Sequence, residues 1–352
     1  MIRSSYVEWQ ENPVKLSITD KWSLIDNIPF PTLTICPAIK TQRKIIDLTS
    51  AIKSPLNLSD RNFSSEHIYD LIEMIAPTSD NSMIFCLWKA TATDVPCGNI
   101  IVPVLTEDGL CFSLNAMNSH EMYTERMVYG MMMVKSNPNG SSRWSMENGY
   151  TKLYDDENYP YPVKPLQWGR LNYLAITLAT LVKDIEYQCG FDQGFKLILS
   201  TPGDAVQTSQ NYFRLSNSQR ALIRIMPELT ITTDKLRHFQ PSQRKCFFQS
   251  DRRLHFFKIY SKINCEEECL ANFTQNTCGC VKFSMPRDKG TKICGGAKIE
   301  CMKEAQRKFS TTQTGRAFRD ECNCMPACTF VKYKAYILRS HDSSSDEFSS
   351  LG

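Results

Sequence analysis

Residues 264–280, NCEEECLANFTQNTCGC, and their distant counterpart at 322–328, CNCMPAC, decide how this chain is read. Ten of the 15 cysteines fall between Cys246 and Cys328: 246, 265, 269, 278, 280, 294, 301, 322, 324 and 328. Such density means either a disulfide framework or a set of metal sites. Structural zinc is normally held by Cys-x-x-Cys knuckles or by paired Cys and His. Here the tightest pairs, Cys278/Cys280 and Cys322/Cys324, have one intervening residue, and no Cys-x-x-Cys occurs. No histidine lies between His255 and His341. The spacing therefore favours disulfides, no metal site is assigned, and an intracellular zinc module is the weaker reading.

Geometry suggests part of a pairing. Cys265 and Cys269 are four residues apart, which in a helix puts both on one face about 6 Å apart along the axis. Cys322 and Cys324 are two apart, which in an extended segment puts both on one side at about 6.6 Å. A strand running antiparallel beside the helix could then make two rungs, Cys265–Cys324 and Cys269–Cys322. Ten cysteines allow hundreds of connectivities, so spacing alone does not settle it. Several rungs would stiffen a small helical unit; simple stabilisation and force transmission both fit.

Working outward, the 352 residues are 42% hydrophobic and 22% charged, enough for a real core. The net charge of +4 is too small and too evenly spread to suggest a nucleic-acid partner. The longest uncharged apolar stretch, residues 171–182, is shorter than the ~20 residues a membrane helix needs. The first 15 residues, MIRSSYVEWQENPVK, have no apolar core of a signal peptide. Extracellular-style cysteines without a delivery signal lead us to expect a truncated chain. Residues 340–352, SHDSSSDEFSSLG, read as a disordered tail.

The pattern before Cys246 is mostly β, apart from one helix. Residues 28–36, IPFPTLTIC, have strand character, with Pro29 and Pro31 excluding a fully paired start. Ile68, Leu71, Ile72 and Ile75 give a helix over 65–76, with Ser64 or Ser65 as cap and Pro77 as stop. Strands are expected at 111–114, at Leu174/Ile176/Leu178, at Phe195/Leu197/Leu199, and at 221–225 and 229–233; Met131–Met133 read as a buried strand. After Cys246 the sequence turns helical. A helix over 264–276 has Asn264 as N-cap and Glu266, Glu267 and Glu268 facing its positive end. A second helix covers about 298–309.

Three sets of residues carry a family resemblance. IPFPTLTIC (28–36) is similar to a Phe-Pro-Ala-Val-Thr-Ile-Cys segment that follows a first transmembrane helix, with Thr32 and Leu33 in place of Ala and Val. GLCFSLN (109–115) is similar to a Gly-x-Cys-Tyr-Thr-Phe-Asn strand. The ten late cysteines match in number, order and spacing. WSMENGY (144–150), YPYPVKP (159–165), GFKLILSTPGD (194–204) and CGCVKFSMPRD (278–288) point to one branch. On these residues the chain resembles the degenerin/epithelial sodium channel family, insect pickpocket-like subunits in particular.

The resemblance implies an α+β clenched-hand ectodomain: a β palm and β-ball, a helical finger, a knuckle and a disulfide-braced thumb. It divides the chain into a post-transmembrane segment and first palm strand (1–40), finger (41–107), β-ball and palm strands (108–199), knuckle and palm strands (200–245), thumb (246–330), and a truncated end with a tail (331–352). It implies the bridges Cys36–Cys111, Cys86–Cys97, Cys246–Cys328, Cys265–Cys324, Cys269–Cys322, Cys278–Cys301 and Cys280–Cys294, leaving Cys189 unassigned. It also implies a homo- or heterotrimer at the plasma membrane with this portion on the extracellular face, sodium as permeant ion, amiloride as blocker, and no cofactor. Both transmembrane helices, the His-Gly gating motif and the selectivity filter are missing, so this polypeptide is not expected to form a pore alone. A Trp that acid-sensing relatives place three residues before the first thumb cysteine is Gln243 here, and no proton sensor is assigned.

Sequons at Asn57, Asn62, Asn139 and Asn272 are glycosylation candidates. No catalytic residue is assigned. The five histidines lie beside no nucleophile motif, and His255, among Phe256, Phe257 and Tyr260, is expected to be packed. The alternative to a channel subunit is a secreted or regulatory, non-conducting binding protein built from the same ectodomain.

Overall fold

The computed structural model describes residues 14, 17, 28–46, 67–78, 82–89, 95–96, 101–128, 142, 144–151, 161–165, 173–185 and 193–341. It is a mixed α/β structure. The core is a five-stranded antiparallel sheet with β1 (Thr32–Pro37) at its centre. One side of β1 is the hairpin of β4 (Ile101–Thr106) and β5 (Gly109–Leu114). The other side is β9 (Phe195–Ser200), followed by β10 (Tyr212–Leu215) at the edge. All six residues of β1 are buried, so both of its faces must pack. Leu33 and Ile35 point to the main core with Leu114, Phe195 and Leu197. The alternate face carries Thr32, Thr34 and Cys36. Its hydroxyls are bonded, Thr32 Oγ1 donating to Asn115 O at 2.9 Å and Thr34 Oγ1 sharing a 2.7 Å bond with Ser113 Oγ. Buried hydroxyls are tolerated because each has a partner. Pro29 and Pro31 precede the first paired residue, as the sequence suggests.

A second sheet, β2 (Met83–Lys89) between β3 (Val95–Pro96) and β8 (Tyr173–Leu178), packs onto this core through Trp88, Leu174 and Ile176. Trp88 meets Phe30 edge-on, with ring centroids 4.5 Å apart. Fully buried Asn115 (φ 62°) ties three segments together. Its Nδ2 donates to Phe30 O at 2.7 Å, and its Oδ1 accepts from Val163 N at 2.7 Å. Helix α1 (His67–Ile75) ends before Pro77 as expected; Ser64 and Ser65 lie outside the described residues. α2 (Ser119–Met122) is a single turn, and β6 (Trp144–Ser145) and β7 (Gly149–Tyr150) form a small hairpin. Met131–Met133 also lie outside the described residues.

The two strand segments expected at 221–225 and 229–233 are one strand, β11 (Gln219–Thr230), running through Pro227. It pairs over 12 positions with β12 (Phe330–His341), from Gln219↔His341 to Thr230↔Phe330. Residues 331–341, placed by sequence in the terminal segment, are therefore strand; residues 342–352 lie outside the described residues. Proline is tolerated where its missing N–H faces away from the ladder. One side of this ribbon rests on the sheet: Ile223 packs on the main core, Tyr333 OH donates to Pro29 O at 2.7 Å, and Thr201 Oγ1 donates to Val331 O at 3.0 Å.

Candidate functional site

The helical unit at the end of the ribbon holds the ten clustered cysteines. α4 (Lys262–Cys278) starts two residues earlier than Asn264 suggests. Ser261 is the N-cap, its Oγ accepting from Asn264 N at 3.1 Å. Asn264 is released from capping and is fully buried. Its Oδ1 accepts from Ala205 N at 2.8 Å, and its Nδ2 donates to Gly203 O at 2.9 Å and Ile259 O at 3.0 Å. That amide joins the helix to the turn following β9. The helix stops at Gly279, whose φ of 74° is cheap only for glycine. α5 (Ile299–Thr311) follows, as expected from the spacing around Met302, Ala305 and Phe309. α6 (Gln313–Cys322) is a helix the sequence did not announce. Thr312 caps it, and Gly315 lets it cross close to α5, since a Cβ there would lie 2.2 Å from Lys308 O. Phe273 on α4 meets Phe309 at 5.4 Å and Phe318 at 5.2 Å, centring the unit's small core.

The sulfurs pair along one side of α4. Cys265 joins Cys324 and Cys269 joins Cys322, with S–S distances of 2.02 and 2.00 Å and Cα separations of 5.6 and 6.0 Å. No strand runs beside the helix here. Cys322 is the last residue of α6, and Asn323 in the left-handed conformation (φ 48°) turns the chain so that Cys324 also faces α4. Cys278–Cys301 ties α4 to α5, and Cys280–Cys294 pins the loop between them. Cys246–Cys328 closes the base, where Phe247 and Ala327 form a parallel bridge. All ten clustered sulfurs are in S–S bonds. Outside the unit, Cys36 is bonded to Cys111 across β1 and β5 at 2.02 Å. Cys86 is disulfide-bonded. Cys97, Cys189, Asn57, Asn62 and Asn139 lie outside the described residues, whereas Asn272 is exposed on α4.

The acidic run on α4 does not serve its dipole. Because the helix begins at Lys262, these residues sit beyond its first turn. Glu266 pairs with Lys262 at 3.6 Å, and Glu267 accepts from Gln207 at 3.1 Å. Glu268 is buried and accepts from the backbone N–H groups of His255, Phe256 and Phe257. Burial raises its pKa even though those bonds favour the carboxylate. Asp204, beside the Asn264 joint, is pushed up to about 6 by burial, against bonds from Ser261 and Thr201. His255 is not packed: 40% exposed, it stands edge-on to Phe256 and bonds Asp288 at 3.1 Å and Arg126 at 3.3 Å.

The base carries residues that no sequence motif singles out. Arg244, at the end of α3 (Pro241–Arg244), is buried against Asp251 and donates to Cys246 O at 3.1 Å. Its guanidinium and that of Arg237 lie over the Phe248 ring, at 4.7 and 4.0 Å. Glu147, in the turn between β6 and β7, accepts from Gln249 N at 2.7 Å and Arg237 at 3.1 Å. Gln243 is exposed and completes a capping box with Gln240. Glu147 is given its role by partners 90 and 102 residues away, and Arg244 by a fold-back of residues 239–251 that no motif announces. Among the described residues, no helix is long and apolar enough to cross a membrane.

Compared with known proteins, the chain matches the family described as "Amiloride-sensitive sodium channel" over residues 1–71 and 51–351. The chain belongs to the amiloride-sensitive sodium channel family. Pickpocket protein 28 of Drosophila melanogaster is 26% identical over 355 aligned positions, covering 96% of this chain and 57% of that protein. Sodium channel protein Nach of the same fly is 19% identical, covering 96% of this chain and 64% of that protein. Pickpocket protein 11 is 23% identical over 46% of this chain. The chain thus spans a little over half the length of the curated relatives it matches along most of its own. Membership places it among channel proteins rather than enzymes, in the pickpocket-like branch expected from its motifs.

Proposed function

We propose that this chain is the extracellular portion of an amiloride-sensitive sodium channel subunit of the plasma membrane, working in a trimer of like or unlike subunits. In this reading residues 246–330 are the thumb, the five-stranded sheet and the ribbon belong to the palm, and the pore helices lie in the remaining length of a full subunit. Sodium is the permeant ion and amiloride the blocker of that full channel. The role of this portion is to receive an extracellular stimulus and pass it on as displacement.

The observation that carries the reading is covalent. Three helices and their flanking loops are braced by five disulfides, two of which, Cys269–Cys322 and Cys278–Cys301, join helix to helix, and the unit is closed at its base where it meets a 12-pair ribbon. Cross-linked helices cannot slide past one another, so a push on the unit moves it as a body. Catalysis needs no such brace. Two measurements test this. Peptide mapping of protein from a secretory host, with and without reduction, should find Cys265 linked to Cys324 and Cys269 to Cys322; free thiols there would sink the ectodomain reading. A chimera carrying this chain in place of the matching part of Pickpocket protein 28 should support amiloride-sensitive sodium current. A chimera that reaches the cell surface and assembles, yet carries no such current, would refute the channel role.

A further inference from the structure

The two rungs on α4 draw on cysteines only two residues apart, Cys322 and Cys324, so Cys265 has two sulfurs to choose between. The rung it forms abuts the residue it passes over. Both of its sulfurs, Cys265 Sγ and Cys324 Sγ, lie close to the Cys322 carbonyl oxygen, at 4.0 and 3.9 Å. Turning Cys322 about its backbone would replace that oxygen by its own sulfur, within reach of the same bond. The turn that separates the two cysteines rests on Asn323 at φ 48°. This left-handed conformation is costly for a residue other than glycine, so it needs outside support.

Arg252 supplies that support from the base of the unit. One guanidinium nitrogen donates to Asn323 O at 2.6 Å and the other to Cys322 O. A planar fork can hold two successive carbonyls at once, which a single ammonium cannot match. The fork is itself held in place: the guanidinium lies 5.4 Å from the Phe247 ring centre, and buried Phe247 meets Tyr260 edge-on at 5.3 Å. A cation at the end of α6 is favoured by the helix dipole, and capping explains the bond to Cys322 O. The bond to Asn323 O lies beyond the helix and fixes the turn instead.

We propose that Arg252 is a positioning residue for disulfide pairing. By holding the carbonyls of Cys322 and Asn323 it keeps the Cys322 sulfur turned to Cys269 and leaves Cys324 to Cys265. The competing step is thiol–disulfide exchange. The Cys322 thiolate attacks Cys265 Sγ, the Cys265–Cys324 bond breaks, and Cys324 leaves as a thiolate; one S–S bond replaces another, so no oxidant or reductant is consumed. The rotation of Cys322 that this attack needs would break both bonds to Arg252. This role goes beyond the channel reading and does not depend on it.

Cys269→Ser frees Cys322 and offers Cys265 both partners in one molecule. Protein of this variant from a secretory host is held at about pH 8, where thiolate is available, with no added oxidant or reductant. It is then acidified and treated with N-ethylmaleimide, and tandem mass spectrometry locates the label. With Arg252 in place, label on Cys322 should exceed label on Cys324 at least ~10-fold, the worth of a bond from a charged donor. Adding Arg252→Ala should bring the ratio to within ~3-fold of one, and Arg252→Lys, which can hold one carbonyl but not both, should fall between. Two controls should leave the ratio unchanged: Arg253→Ala at the exposed neighbour, and Thr312→Ala, which removes the N-cap at the far end of α6. A ratio that Arg252→Ala does not lower would mean that chain direction alone selects the partner, and would overturn the proposal. So would a ratio near one with Arg252 in place, or an equal fall in Thr312→Ala, which would make helix stability the cause. If Arg252→Ala is not secreted, the lysine variant decides: a lowered ratio supports the proposal and an unchanged one overturns it.

Discussion

Removing Cys269–Cys322 should cost much less than its span in sequence suggests. The bond links residues 53 apart, and in isolation a loop of that length is worth about 4.2 kcal/mol at 25 °C. But Cys265–Cys324, with a separation of 59, already closes the same loop one rung outside it. With that rung in place, Cys269–Cys322 closes a ring of only about 7 residues, worth about 2.4 kcal/mol by the same relation. The base bond has a separation of 82, so it closes about 24 residues beyond the Cys265–Cys324 rung and should be worth about 3.5 kcal/mol. The comparison is fair because each pair has one buried and one half-buried cysteine, so packing losses are matched. The assay is equilibrium unfolding in guanidinium chloride of Cys269→Ser/Cys322→Ser and Cys246→Ser/Cys328→Ser beside the native chain. We expect the base variant to be the less stable by about 1 kcal/mol. An inner-rung loss of about 4 kcal/mol, equal to that of the base, would mean that the rungs act independently and would refute the nested-ladder reasoning.

Other outcomes follow from the joint and the helices. Asn264→Ala leaves Ala205 N–H and Gly203 O without their partner in a buried site and should cost about 2–4 kcal/mol in the same unfolding assay. Asp204 has its folded pKa raised from 3.8 to about 6, so the native state favours the protonated acid. Its stabilising contribution is full below pH 4 and is lost as pH rises through 6, to the extent of at most about 3 kcal/mol. Asp204→Asn should therefore gain on the native chain between pH 4.5 and pH 7.5 in urea unfolding; a constant difference would count against it. Gly315→Ala drives a Cβ into the Lys308 carbonyl and should destabilise by about 1–3 kcal/mol, read from the thermal midpoint. Asn272 is exposed on α4, so Asn272→Gln should remove a deglycosidase-sensitive mobility shift from protein made in a secretory host.

How far the chain could be read in advance depended on whether the deciding partners were local. β1 was legible because Leu33 and Ile35 alternate with small polar residues and two prolines mark its start. The helix at 67–75 was legible from four apolar residues at helical spacing. β11 was not recognised as continuous because Pro227 and Glu228 interrupt its apolar alternation; its pairing with β12, more than 100 residues away, overrides them. α6 was missed because QTGRAFRDEC offers little apolar periodicity beyond Phe318; it folds against Phe273 and is held by Cys322. Ser261 and Asn264 are both good N-caps, and only the presence of Gly203 and Ala205 beside Asn264 decides between them. The role expected of Glu266, Glu267 and Glu268 failed with it, since moving the helix start carries them out of the first turn.

The contrast between the unit and its mounting bears on how a stimulus would travel. Inside the unit the contacts are covalent rungs and a small aromatic core. Between the unit and the turn after β9 they are hydrogen bonds, Asn264 to Gly203 and Ala205 and Gln207 to Glu267, with Ala205 packed on Phe256 and Phe257. Each such bond contributes about 1 kcal/mol net, and it can break and re-form, whereas a disulfide holds its span. A displacement of the braced unit is therefore taken up at the joint around residues 201–208, and it reaches the ribbon through Cys246–Cys328 and the paired start of β12. Asp204 sits in that joint with its charge disfavoured by burial, so opening the joint to water would favour the ionised carboxylate. Joint opening and release of the Asp204 proton are then thermodynamically linked. Asp204→Asn, which keeps an acceptor but cannot ionise, should leave the ladder intact while removing that link between pH and the opening of the joint.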